Sequence, residues 1–506
     1  GSLVLICIFA CAIQRSALAF LSRCSFDTYG HLYFAKLVRE QKSGPFGSIE
    51  TNVLGSTSFH HPFLWHWVIT ICGTKYLDYL KKLFNPILDA FFCGFIVYGA
   101  WIAGFNSTES FICGLLYIFT PMWFTVLSIG PRVSAMTPRL TSEIFFCVSI
   151  MLVYCPFSIS SPLKIILSSM CMTIVILGSK FGTQVVIFVV PSLIITTFNV
   201  ELLYSLILCF VFSVVISGGS IYEAIKSQCS HLIWYYRNNK SNSTSISRRN
   251  SIPNIIEKIK GHLFKKKLKI LFFSILRENS YSSTLIKIPF LFFFIYASIN
   301  DYGVAKENYA QIIIPVVIIF IIINTKTFVF LGEAERYLNH ISFFLLVGFV
   351  GILKRTEVAY IIFFIVFGIV YFALELLYLS LLRKRSAGRE MVDRNVINYI
   401  LNRQPNCNVI CYPFHSVGVY RILYETSASV IFPLNNHKYY DKFVGVKYPY
   451  VDLRNMLSSD VGKEVNLAIV SCKNSREDIS ESNNVFRNWI KSDIGSPFYN
   501  IYFRDK

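Results

Sequence analysis

From residue 1 to about residue 380, apolar runs of near-membrane length follow one another with short polar breaks, a pattern open to few folds. A bilayer core takes about 20 apolar residues of helix, and every backbone polar group inside it must be satisfied within the segment. Candidate spans lie near 2–21, 63–73, 86–103, 108–129, 141–157, 161–178, 182–198, 200–219, 284–299, 309–324, 341–354 and 358–382. The expectation is an α-helical polytopic membrane protein with about 12 transmembrane helices, the count following from the length each span needs. Runs 63–73 and 341–354 are short, as segments beside a water-filled cavity can be. Charged residues make up 15% of the chain, against about 25% in soluble proteins. The first segment, GSLVLICIFACAI, leads into Gln14 and Arg15 and has no A-x-A cleavage site, so it reads as a retained first span.

The deficit of charge is confined to residues 1–382, the expected transmembrane domain, whereas 390–506 read as a small soluble α/β domain. There NVICYPF (408–414) and NLAIVSC (466–472) suit buried parallel strands, and Val396–Arg403, Val417–Thr426 and Ser482–Lys491 have helical spacing. No G-x-G-x-x-G or P-loop is present. His415 and Cys411, near the end of the first strand, read as structural.

The net charge of +19 does not point to nucleic acid in such a chain. Basic residues gather in cytoplasmic loops and meet anionic lipid headgroups, so membrane lipids are the expected partners. The loop 220–283 carries Arg237, Lys240, Arg248, Arg249 and Lys265–Lys267, which predicts a basic cytoplasmic loop. RKRSAGR (383–389) predicts the same side for the C-terminal domain, and the span count then sets residues 22–62, the first outer loop, on the opposite side. The 14 cysteines are scattered, with no C-x-x-C pair or His/Cys zinc spacing. Asn106-Ser-Thr and Asn242-Ser-Thr match the glycosylation sequon.

Four polar segments interrupt the apolar pattern with chemistry. FDTYGHLYFAKLV (26–38) holds Asp27 and, one helical turn on, His31. HHPFLWHW (60–67) holds His60 and His61; GPRVSAMTPRLTSE (130–143) holds Arg132 and Arg139; FLGEAERYLNH (330–340) holds Arg336 and Tyr337. A carboxylate beside a spanning helix is costly unless solvated, paired or used. The order and spacing of the four segments resemble the GT-C superfamily, polytopic glycosyltransferases that take a sugar from a polyprenyl-phosphate carrier. That group includes protein O-mannosyltransferases and the aminoarabinose transferases acting on lipid A. The resemblance covers residues 22–340 and implies that Asp27 is the catalytic carboxylate and that Arg336 and Tyr337 lie near the active site. Two features depart from it: Asp27 is followed by Thr28 where many relatives have Asp-Glu, and the W-W-D signature of the oligosaccharyltransferase branch is absent. A divalent metal therefore lacks sequence support, and no cofactor is expected.

In an inverting transfer, one carboxylate suffices to take the proton of the attacking hydroxyl. The leaving phosphate needs cations, for which the planar arginine fork is suited. Arg336 is assigned that role, with Arg132, Arg139 and Lys180 as lesser candidates; against it stands an ion pair of Arg336 with Glu333 or Glu335. His60 and His61 are candidates to orient the carrier phosphate or to cap a helix. The expected partners are a polyprenyl-phosphate-linked sugar donor and a lipid, glycan or protein acceptor at the outer or lumenal face. The expected location is the bacterial plasma membrane, with the endoplasmic reticulum as alternative. A secondary transporter or lipid flippase is the competing function, although the two halves show no self-similarity of the kind such proteins carry, and a non-catalytic scaffold is the third.

Overall fold

The computed structural model describes residues 1–54, 58–59, 63–71, 73–126, 132–239, 260, 280–300, 309–325, 327–353, 358–403, 407–412, 418–431, 452–471, 485–492 and 498–504. The first half is helical: α1 (Ser2–Leu21), α2 (Phe26–Glu40), α3 (Leu64–Thr70), α4 (Thr74–Ile102), α5 (Ser107–Phe119), α6 (Pro121–Phe124), α7 (Pro138–Tyr154), α8 (Ser161–Gly178), α9 (Lys180–Thr197), α10 (Val200–Ile216) and α11 (Ile221–Asn239). Then come α12 (Ser280–Lys287), α13 (Pro289–Asn300), α14 (Ala310–Ile323), α15 (Glu335–Asn339), α16 (Ser342–Leu353) and α17 (Val358–Arg403).

Local chemistry starts these helices where the sequence allows. Ser25 caps α2 by accepting from the Thr28 amide at 3.1 Å. Asn106 and Glu109 form a reciprocal capping box on α5, so the first sequon asparagine holds a helix end. Thr137–Pro138 opens α7 with proline in its first turn, where no amide partner is lost.

Among the described residues, five helices are long and apolar enough to span a membrane: Ser2–Leu21, Tyr79–Ile102, Ser161–Gly178, Lys180–Thr197 and Ala359–Lys384. Two bent pairs raise this to seven, α10 with Ile221–Ser230 at 109° and α12 with α13 at 89°. Ser107–Phe119, Ala310–Ile323 and Ser342–Ile352 are shorter apolar helices. The expected count of about 12 is therefore not reproduced as full-length spans. Several runs that look equal in sequence are cut short by bends or breaks, and the break between Ile323 and Ser342 carries the 330–340 segment.

The C-terminal residues form a mixed five-stranded sheet of β3 (Asn408–Tyr412), β4 (Ser429–Val430), β5 (Leu467–Ser471), β6 (Ile490–Lys491) and β7 (Tyr499–Phe503), numbered after a short hairpin of β1 (Ile49–Glu50) and β2 (Ser58–Phe59). Its order is β4-β3-β5-β7-β6, with β3 parallel to β4 and β5, and β7 antiparallel to β5 and β6. Between the strands lie α18 (Val419–Glu425), α19 (Leu453–Ser458) and α20 (Asp460–Lys463). The parallel pairing of 408–412 with 467–471 matches the expectation. By contrast, Ile490–Lys491 is a strand where helical spacing suggested helix, because it pairs with Tyr502 and Phe503. Continuous helix in α17 runs from 358 to 403 across the expected boundary between transmembrane and soluble portions.

This sheet does not stand apart from α2. Tyr33, Phe34, Leu37 and Val38 of α2 share one apolar core with Val396, Tyr399, Ile400, Ile410, Ile422 and Ile469. Beyond α2, Val53 bridges Val430 in parallel, with Leu54 N donating to Val430 O and Val430 N to Asn52 O, each at 3.0 Å. The C-terminal region thus lies on the side of Asp27, which corrects the opposite-side expectation. The described part of the basic loop shares that side: Gln228 of α11 donates to Lys180 O at 2.8 Å, and Tyr236 packs edge-on against Phe330. That expectation rested on a count of about 12 crossings, and the described residues hold fewer full-length spans than that.

Candidate active site

Asp27 sits exposed in the first turn of α2, where the unpaired backbone N–H groups of a helix favour an anion. The next residue anchors it. Thr28 is fully buried, and its Oγ1 accepts from the Met136 amide at 3.1 Å. That bond holds Met136 against the start of α2 and brings Arg139, the second residue of α7, within electrostatic reach of Asp27. Arg336, Glu333, Asp27 and Glu143 all lie within electrostatic reach of Arg139. Residues 27, 139 and 336 therefore meet in one electrostatic neighbourhood despite their separation in sequence.

Arg336 comes from α15, in the polar break before α16. It pairs with Glu333, and its guanidinium carbon lies 5.4 Å from the Phe181 ring centre. Tyr337 packs edge-on against the same ring at 5.1 Å. Arg336 Nε and the fully buried Tyr337 hydroxyl have no hydrogen-bond partner in the protein among the described residues, an arrangement that calls for a ligand or water. The break is held by His340: Nδ1–H donates to Arg336 O at 2.8 Å, while the Ser142 hydroxyl donates to Nε2 at 3.0 Å, the tautomer the carbonyl requires. Lys180 opens α9 directly before Phe181 and is half-buried at the same end of the bundle.

His31 is one turn from Asp27 on α2, as the spacing predicted. Its Nδ1 lies 2.8 Å from Nε2 of the buried His66, and its ring meets Trp65 edge-on. Burial pushes the His31 imidazole down to about 4, with Asp27 acting upward and Arg139 further downward. It is neutral at pH 7. His60 and His61 lie outside the described residues, as do His415 and Asn242.

Arg132 is committed elsewhere. It bonds Glu143 and Asp89, and its Nη2 donates to the Tyr117 hydroxyl at 2.8 Å. Asp89 is shared with Arg15, whose Nε lies 2.6 Å from Oδ2 and whose other nitrogens reach the carbonyls of Ile118 and Tyr117. Arg15, Asp89 and Glu143 are fully buried. With its donors taken by this core network, Arg132 drops out of the set that could meet a phosphate.

Sequence reading missed Phe181, His66, His340, Asp89 and Glu143 as parts of this region. Asp89 and Glu143 carried a legible signal, since an ionisable residue in an apolar run is costly without a partner; Phe181 carried none. Among the described residues, no group of three or more His, Cys, Asp or Glu is placed to hold a metal ion.

No protein-family model matches the chain, and no curated protein does. Solved structures do. One is ArnT from Cupriavidus metallidurans bound to undecaprenyl phosphate, at 12% identity and a TM-score of 0.57, covering 99% of this chain and 97% of that one. Another is the archaeal oligosaccharyltransferase AglB from Archaeoglobus fulgidus in complex with an inhibitory peptide and a dolichol-phosphate, at 10% identity and a TM-score of 0.51, covering 99% and 74%. Over essentially its whole length, this chain has the fold of the GT-C membrane glycosyltransferases.

Proposed function

We propose that the protein transfers a sugar from a polyprenyl-phosphate carrier to an acceptor hydroxyl, with inversion, at the membrane face that carries Asp27, taken as outer or lumenal. The observation that carries this reading is the convergence of Asp27, Arg139 and Arg336 on a fold shared with a structure bound to undecaprenyl phosphate. Asp27 takes the acceptor proton as the oxygen attacks the anomeric carbon. The C–O bond to phosphate breaks on the opposite face, and the carrier phosphate leaves as an anion. Arg336, Arg139 and the Tyr337 hydroxyl hold the growing negative charge, a role worth more in the transition state than in the ground state. Arg336 can do this while paired with Glu333, because its Nε has no hydrogen-bond partner among the described residues. Lys180 adds positive charge at the same end, and neutral His31 braces the Asp27 turn through His66.

The test is direct. The purified full chain in lipid nanodiscs is incubated with polyprenyl-phosphate-linked hexoses and pentoses together with a membrane extract supplying lipid, glycan and protein acceptors, and loss of lipid-linked sugar is followed by mass spectrometry. At least one donor should be consumed, and Asp27→Asn should slow the reaction by roughly 10²-fold or more. Full turnover by Asp27→Asn would remove the base assignment. No consumption of any donor, with Asp27→Asn indistinguishable from wild type, would remove the transferase reading.

A further inference from the structure

A glycine in the middle of a helix is an odd choice. Gly30 is the fifth residue of α2, where glycine costs helix stability relative to alanine. The structure supplies a reason for it. A Cβ on Gly30 would stand 3.0 Å from both Cδ2 and Cε2 of Tyr420, which belongs to α18 of the C-terminal sheet region. The Tyr420 ring fills the notch left by the missing side chain. It also meets the Phe26 ring at 4.6 Å and the Phe34 ring at 6.1 Å. Phe26 and Gly30 bracket Asp27, one residue before and three after.

The same two helices are tied further along. Lys36 Nζ donates to Tyr424 O at 3.1 Å, Arg421 lies 5.5 Å from the Tyr29 ring centre, and Tyr29 meets Tyr424 at 6.3 Å. On its other face α2 packs through Leu32 and Ala35 against Trp65 and Ile69. The helix that carries Asp27 is therefore gripped between α3 and α18. Of the two, α18 is part of the C-terminal region, whose role the sequence left open.

We infer that Tyr420 and Gly30 are positioning residues: the C-terminal sheet region seats Tyr420 in the Gly30 notch and so fixes the turn of α2 that presents Asp27. The inference rests on the transferase reading, because it makes the geometry of Asp27 matter for a proton transfer. Displacing a catalytic group by about 1 Å can cost on the order of 10²-fold in rate without touching the chemistry. The expected signature is thus a lower kcat with little change in KM, since the contacts of Tyr420 with Gly30, Phe26 and Phe34 give it a role in holding α2.

The experiment uses the full chain in nanodiscs, with two routes to an open notch. Tyr420→Ala removes the ring. Gly30→Leu displaces the ring while giving α2 a better helix former, so its effect cannot come from a weaker helix. Tyr420→Phe keeps the ring and serves as the conservative rescue. Hydrogen exchange of the α2 amides from Tyr29 to Phe34 is measured together with consumption of the polyprenyl-phosphate-linked sugars. Both disruptive variants should raise α2 exchange at least about tenfold, the range open to local opening, and lower kcat by roughly 10²-fold, with KM within about threefold. Tyr420→Phe should behave like wild type. Unchanged α2 exchange in both disruptive variants overturns the inference, and so does loosened α2 with full kcat. If Asp27→Asn keeps full turnover while Tyr420→Ala loosens α2, the base assignment fails and the grip on α2 stands, so the two failures are distinct.

Discussion

Replacing Asp89 by asparagine offers the sharpest test of how this fold carries charge inside its helical core. Asp89 is fully buried and takes hydrogen bonds from Arg15, Arg132 and Tyr117. The buried set holds two guanidinium groups, Arg15 and Arg132, and two carboxylates, Asp89 and Glu143, so its formal charge is zero. The Asp89→Asn change keeps the size of the side chain but leaves one unit of positive charge uncompensated and turns an amide N–H₂ toward donors. Breaking one partner of a buried pair costs about 3–5 kcal/mol. That is roughly two to three and a half orders of magnitude in the folded ratio, at about 1.4 kcal/mol per tenfold. The assay is the denaturation midpoint of the purified chain, read by tryptophan fluorescence and by size-exclusion profile after heating. A double variant, Arg15→Met with Asp89→Leu, removes the charge pair together and leaves Arg132 with Glu143. It should regain most of the loss, because apolar replacement of a whole buried pair is often neutral or better. The coupling between the two sites should show as strong non-additivity. An Asp89→Asn chain with the wild-type midpoint would refute the reasoning, as would a double variant less stable than the single one.

Three other outcomes follow from the site. Arg336→Ala should lower donor consumption by roughly 10²–10³-fold, the scale for losing one oxyanion donor, with Arg336→Lys intermediate; a folded Arg336→Ala chain with full activity would reduce Arg336 to a brace for Glu333. In a cysteine-free background, single cysteines at Arg23, at the exposed native Cys229 and at Lys463 should all react with a membrane-impermeant reagent from the same side, and opposite labelling of Arg23 and Lys463 would break the placement of the C-terminal sheet beside α2. His31, pushed down to about 4 from an ordinary value near 6.5, binds fewer protons folded than unfolded between those pH values. Stability should therefore fall as pH drops from about 6.5 toward 4, and His31→Gln should flatten that slope; an identical slope in the variant would show that His31 is not the group responsible.

Apolar patterning alone pointed to a helical membrane protein. Apolar runs of bilayer length cannot be anything but helices in lipid, because no water is there to satisfy a free backbone. The four polar segments that interrupt them hold Asp27, Arg139 and Arg336, and their resemblance to a known family is what raised a carboxylate base and a phosphate-binding arginine as expectations. The short apolar stretches 408–412 and 467–471 pair in parallel, as their pattern suggested. What the sequence could not decide was which breaks meet and on which side. Arg132 and Arg139 stand seven residues apart with similar flanks, yet one is locked to Asp89 and Glu143 in the core while the other lies beside Asp27. Among the described residues, the Met136–Thr28 bond, the bonds from Asn85 to the Arg132 and Ala135 carbonyls and the packing of α4 against α7 separate their fates. Side assignment failed for a related reason. Positive charge near helix ends is a statistical preference, and a broken helix changes the parity of a count without changing composition. The Gly30–Tyr420 notch was equally hidden, since a mid-helix glycine names a close approach but not its partner, and the partner comes from a helix nearly 400 residues away in sequence.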